Sequence, residues 1–310
     1  MKFATIERDR RPVPALWTDN GVWDLQAALA LAPRDAGQVF DTTRPLTLID
    51  VIAAGAPGLA FARAIVAAPD AYATARLPGS GVARLLAPIP RPPKNVFCLG
   101  RNYAEHIRED NTSRDQDTAL PEHPQFFTKP WTAIVGDGAG IRYDEKVTRR
   151  LDYEVELAVV IGKGGRDITE AHAMEHVFGY TIVNDVTARD LQKRHDQWFK
   201  GKGLDTFCPM GPWIVTADEV GDPHALRIEL DVNGQRRQGA STGDMIFTIA
   251  QQIASLSAGL TLEPGDVIAT GTPSGVGYAM NPRQWLKAGD EIVCRVERIG
   301  TLRNRVVAAA

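Results

Sequence analysis

The sequence predicts an α+β or β-roll architecture, with a strand-rich larger region preceded by a smaller N-terminal α+β segment. Three observations predict it. Short apolar runs bounded by glycine, proline or asparagine recur after residue 95 and outnumber the helical patterns. They do not alternate steadily with helices, as a doubly wound sheet requires. The stretch "LLAPIPRPPKN", with four prolines in eleven residues, separates two regions of different texture and reads as a stiff linker. The expected division is an N-terminal domain at 1–86, a linker at 87–94 and a larger domain at 95–310.

The elements follow in order. Residues 1 to about 25 alternate apolar and polar side chains, which predicts short strands and a hairpin. Residues 46–73 are alanine-rich with helical spacing, broken at Ala56–Pro57–Gly58. Beyond the linker, "NVFCLG" is a strand and "NYAEHIRED" a short helix. "NTSRDQDTALPEHP" is a long polar loop, and residues 110–124 have the character of a lid. "QFFTKP" and "LDYEVELAVVIG" are extended, "ITEAHAMEHVF" is helical and "GYTIVNDVT" is a strand. "RIELDVNGQRRQGAST" is a hairpin turning at Asn233–Gly234. "DMIFTIAQQIASLS" is an amphipathic helix ended by Gly259, and two strands close the chain.

The 310 residues carry a net charge of −3 with acids and bases mixed, which gives no reason to expect nucleic acid or a membrane surface as partner. The first residues lack the apolar core of a signal peptide, and no apolar run is long enough to span a bilayer. Cys98, Cys208 and Cys294 form no C-x-x-C pair. A cytoplasmic protein with reduced thiols is the expectation. Cys208 reads as an inert core thiol.

The informative stretch is "LDYEVELAVVIG". Asp152, Glu154 and Glu156 alternate along a strand and so share a face. Such a row is either a wet edge, paired with Arg149 and Arg150, or the wall of a cation site. Asp185, at the end of the apolar strand "TIVND", favours the second reading. Carboxylates from two strand ends make a hard-oxygen site suited to Mg²⁺, Mn²⁺ or Ca²⁺. His106 and Glu109, three apart, share a helical face. That pattern is either an ordinary surface pair or an imidazole whose basicity a carboxylate raises. Lys129 and Lys202 stand in otherwise uncharged surroundings and suit a developing oxyanion. Arg189 can grip a carboxylate bidentately, and Arg101 is a weaker candidate for that work. "TGTPSGVG" lacks the Lys-Ser/Thr ending of a phosphate-binding loop, but its N–H groups and the Thr272 hydroxyl can receive a small carboxylate. "HAMEH" at 172–176 spells an inverted zinc-protease pattern with no third ligand in view, and reads as a solvated helix face.

"GRNYAEHIRE", "FFTKP", "DYEVELAVVIG", "NDVTARDLQ", "WFKGKGLDTFCPMGPWI" and "ATGTPSGVG" occur in an order that resembles the fumarylacetoacetate hydrolase superfamily over residues 95 to 307. The resemblance implies a mixed β-roll, a homodimer or dimer of dimers, and one divalent cation, Mg²⁺ foremost, on Glu154, Glu156 and Asp185. Asp152 is not among the implied ligands. The resemblance implies His106 and Glu109 as a catalytic dyad and Lys202, not Lys200, as the functional lysine. It also places Arg189, Gln192 and Thr272 in the substrate pocket. The activity expected first is hydrolysis of a 2,4-dioxo acid or acylpyruvate through a metal-held enolate. Oxaloacetate decarboxylation and hydroxydienoate isomerisation are alternatives. An inactive, metal-stabilised binding protein is an alternative of a different class.

Overall fold

The computed structural model describes residues 1–32, 39–78, 84–114 and 119–309. Its main sheet orders the strands Arg76–Leu77, Gly21–Asp24, Arg11–Thr18, Lys2–Arg8, Cys208–Thr216, Val177–Asn184, Val155–Ile161, Val267–Ala269, Val96–Gly100 and Gln125–Lys129. Neighbours are antiparallel except Val267–Ala269 beside Val96–Gly100. A second sheet runs Gln235–Ser241, Arg227–Val232, Glu291–Val296, Gly300–Ala308 and Gly140–Tyr143. The result is a mixed β-roll with a smaller N-terminal α+β region.

The main sheet has a core on each face. Along Val155–Ile161, Leu157, Val159 and Ile161 enter one core together with Ile228, Leu230 and Ile292 of the second sheet. Ala158 and Val160 enter the other, with Val51, Ile52 and Ile65 of the N-terminal helices. Every residue of this strand is buried, as expected of a central strand covered on both sides. The N-terminal strands extend the same sheet: Lys2 and Phe3 pair with Val215 and Ile214. The proline-rich stretch packs as well. Ile89 is buried, and the Thr5 hydroxyl donates to the Pro88 carbonyl.

Several elements differ from expectation. The helical break at 46–73 falls at Gly55, whose φ is 60°. Pro57 stands in the first turn of the helix Ala56–Ala67, where its missing N–H costs nothing. The helix expected to stop at Asp110 continues to Arg114, because neither glycine nor proline intervenes to stop it. The lid expected at 110–124 lies partly outside the described residues. "EAHAMEH" is a 3₁₀ segment, Glu170–His176. Its period of three buries Ala173 and His176 and leaves Met174 exposed. The helix expected from Asp244 starts at Ile249, where Thr248 and Gln251 form a capping box.

Candidate active site

The acids converge where two strands leave the main sheet. The chain runs from Leu151–Asp152, paired with Thr187–Ala188 in a small ribbon, into Val155–Ile161. Asp185 occupies the matching break after Val177–Asn184, and its N–H donates to the Glu154 carbonyl at 2.8 Å. Glu156 stands opposite Val183 in the adjoining ladder. Ligand oxygens of Glu154, Glu156 and Asp185 therefore lie within 4.8 Å of one another, and all three residues are buried.

Buried carboxylates need compensation. Asp152 obtains it from Arg189 Nε at 2.8 Å and from the N–H groups of Tyr153, Gly277 and Tyr278. It is an anchor for Arg189 and lies outside the ligand triad. Glu154 pairs with Arg189 Nη2 at 2.6 Å and Lys202 Nζ at 2.8 Å. The Arg189 contact is a close ion pair without hydrogen-bond alignment. Asp185 pairs with Lys202 Nζ at 2.6 Å and with Lys129 Nζ, which also donates to the Val186 carbonyl. Burial alone would raise the Glu154 carboxyl, but the charges of Lys202 and Arg189 override it and hold it well below the usual range. Burial opposes the Lys202 charge, yet Asp185 and Glu154 raise its pKa.

Glu156 stands apart. It accepts the Gly271 N–H at 2.8 Å and has no ion-pair partner among the described residues. Burial, followed by the charges of Asp185 and Glu154, pushes its carboxyl well above the usual value. Four buried acids thus face three paired cations, Lys129, Lys202 and Arg189. A site with one acid in excess and three convergent carboxylates fits a hard divalent cation.

His106 and Glu109 come from the helix Ala104–Arg114. His106 Nδ1 is 3.0 Å from Glu109 Oε1, which leaves Nε2 as the unengaged ring nitrogen. Glu109 also accepts the Gly275 N–H at 3.0 and 2.9 Å. The glycine-rich loop thus directs its N–H groups at the protein's own carboxylates: Gly271 to Glu156, Gly275 to Glu109, and Gly277 to Asp152. Gly275 is obligatory there. Its φ is 103° and an added Cβ would lie 2.0 Å from the Arg237 carbonyl oxygen. The Thr272 hydroxyl donates to the Val155 carbonyl and accepts from Gln238 Nε2. Its proton is thereby committed within the fold.

Arg101, His106, Glu154, Glu156, Arg189 and Gln192 line one cavity of about 80 Å³, together with Lys202 and Thr272. Asp185 and Lys129 are fully buried beneath it, and Glu109 supports His106 from the side. Lys129, readable from sequence as a surface charge, is therefore a core residue. Lys200 and Lys202 belong to the short helix Phe199–Lys202, which buries Lys202 and leaves Lys200 exposed. Sequence reasoning missed the aromatic wall: Phe127, Trp198 and Tyr278 also line the cavity. Trp198 rests on Gly100, where an added Cβ would lie 2.2 Å from its ring. A glycine opposite a large aromatic leaves no sequence signal, because the two are nearly a hundred positions apart.

None of the remaining candidates lines this cavity. His172 is exposed beside Glu175, and His176 turns inward to the Lys163 carbonyl. Burial pushes the Cys208 thiol up to about 12. No helix among the described residues is long and apolar enough to cross a membrane.

Comparison with known proteins agrees with this geometry. Oxaloacetate tautomerase YisK of Bacillus subtilis is 46% identical over 311 residues, covering 99% of this chain and 100% of the relative. The human mitochondrial oxaloacetate tautomerase FAHD2A is 44% identical over 86% of this chain and 82% of its own length. The structure of a fumarylacetoacetate hydrolase from Exiguobacterium antarcticum superposes with a TM-score of 0.80 at 41% identity, covering both chains fully. Residues 95–307 match the fumarylacetoacetate (FAA) hydrolase C-terminal family, and the chain belongs to the fumarylacetoacetate hydrolase family.

Proposed function

We propose that the chain interconverts the keto and enol forms of a small 2-oxo diacid of the oxaloacetate type. The observation that carries this reading is the placement of one oriented imidazole, His106, in the same small cavity as the carboxylates of Glu154 and Glu156. Full-length similarity to oxaloacetate tautomerases supports it over acylpyruvate hydrolysis, the activity first expected from sequence. The cavity volume of about 80 Å³ is small beside the ~300–1,000 Å³ of pockets for drug-sized ligands.

Glu154, Glu156 and Asp185 would hold a divalent cation, Mg²⁺ by the hardness of the donors, which would supply positive charge that acidifies C3 of a 2-oxo acid. Lys202 and Lys129 hold Asp185 in position, while Lys202 and Arg189 keep Glu154 ionised and in place. Glu109 receives the Nδ1 proton of His106 in a hydrogen bond and fixes the tautomer in which Nε2 is the base. Towards the enol, Nε2 takes a proton from C3. The electron pair of the broken C–H bond becomes the C2=C3 bond, the carbonyl pair moves to oxygen, and that oxygen gains a proton from solvent as His106 releases to solvent the one it took. The reverse sequence returns the proton from His106 to C3. Phe127 and Trp198 form the aromatic wall beside this exchange.

The test follows loss of enol absorbance for oxaloacetate with Mg²⁺, with products analysed by mass spectrometry. The expected result is accelerated interconversion at unchanged mass, slowed about 10²–10⁴-fold in His106→Ala. Unaccelerated enol decay would overturn the proposal. Cleavage of acylpyruvates into two acids would then assign hydrolysis, and release of CO₂ would assign decarboxylation.

A further inference from the structure

We propose that Arg101, rather than Arg189, grips the second carboxylate of the substrate and makes the site selective for 2-oxo diacids over 2-oxo monoacids. The inference rests on the reading above that the substrate is a 2-oxo acid bound at the triad.

A diacid whose 2-oxo end faces the triad presents its other carboxylate to the rest of the cavity. Three of the available cations are already committed. Arg189 donates Nε to Asp152 and Nη1 to the Gln192 side chain at 3.2 Å, and its Nη2 forms a close ion pair with Glu154. Lys202 bridges Glu154 and Asp185, and Lys129 is fully buried against Asp185. To bind a substrate carboxylate, Arg189 would have to abandon two buried acids, which is costly.

Arg101, unlike Arg189, has no carboxylate partner among the described residues. It lines the same cavity, and its Nε is buried with no hydrogen-bond partner. An unsatisfied buried donor on a guanidinium is costly unless an acceptor arrives. The fork of N–H groups matches a carboxylate bidentately. The backbone holds this presentation. Arg101 has φ 57°, an uncommon conformation for a residue other than glycine. Asn102, fully buried, locks it in place. Its side chain donates to the Phe247 and Thr270 carbonyls and accepts the Phe247 N–H, and its own carbonyl accepts the Ile246 N–H. An arginine in the left-handed region beside so firmly bonded an asparagine, with a buried donor unpaired, is organised for a ligand.

The test is calorimetric binding of oxaloacetate and of pyruvate to Mg²⁺-loaded wild-type, Arg101→Gln and Arg101→Lys proteins. Circular dichroism checks that each variant is folded. Wild type is expected to prefer oxaloacetate. Arg101→Gln should lose about 10- to 100-fold in oxaloacetate affinity, with pyruvate affinity unchanged, and Arg101→Lys should recover part of the loss. Equal loss for both acids, or no diacid preference in wild type, overturns the assignment. An Arg101-dependent preference in protein that does not accelerate tautomerisation supports the assignment and refutes only the proposed reaction.

Discussion

Asp152 illustrates how closely charge is balanced at single residues. The alternation of Asp152, Glu154 and Glu156 is legible in sequence, and so is the question of what neutralises them. The answer is not, because Arg189, Lys202 and the N–H groups of the 270s arrive from distant segments. Lys129 is the sharpest case: its burial follows only from the strand Gln125–Lys129 ending over Asp185. Asp152→Asn removes a buried ion-pair partner and leaves Arg189 short of charge. It should destabilise the protein by about 3–5 kcal/mol, read as a lower denaturant midpoint, without abolishing divalent-cation binding. A variant as stable as wild type would refute the anchoring role.

At the scale of elements, the glycine-rich loop and the hairpin make separate predictions. The loop's glycines are visible in sequence, and an anion-receiving role for its N–H groups is a natural reading. What sequence could not reveal is that the anions belong to the protein. Gly275→Ala forces the loop away from Arg237 and loosens Glu109. Activity should fall about tenfold or more through kcat as His106 loses orientation, with the fold retained by circular dichroism. Unchanged kcat would sever the loop from the dyad. In the hairpin, whose Asn233–Gly234 turn was legible, Asp231 pairs with Arg236 and Arg295. Burial would raise its carboxyl, but these arginines hold it below the usual value. Its folded pKa therefore lies under the unfolded one near 3.9. The stabilisation is present above that value and is lost as pH falls through the folded pKa. Asp231→Asn should lower Tm at neutral pH, and the difference from wild type should shrink towards pH 3. A gap that is independent of pH would contradict the pairing.

The whole molecule is a sheet with a core on either face, and the acid cluster sits where strands leave that sheet. The α+β class and the order of motifs were legible because period-two runs and turn residues are local. The joining of the N-terminal strands to Cys208–Thr216 was not, because strand partners some two hundred residues apart leave no periodic trace. Since the cluster carries an uncompensated acid, ligation links to global stability. A cation present at a hundred times its Kd should stabilise the fold by about 2.7 kcal/mol, seen as a rise in Tm with Mg²⁺ over EDTA. Glu156→Gln should erase that rise.

The most direct measurement of the central claim, that Glu154, Glu156 and Asp185 hold a divalent cation, is titration of the metal-free protein with Mn²⁺ followed by electron paramagnetic resonance. The account predicts one tightly bound Mn²⁺ per chain, displaced by Mg²⁺ and lost in Glu156→Gln. Wild-type protein that leaves all the Mn²⁺ free, or a Glu156→Gln variant that binds it as tightly as wild type, would contradict it.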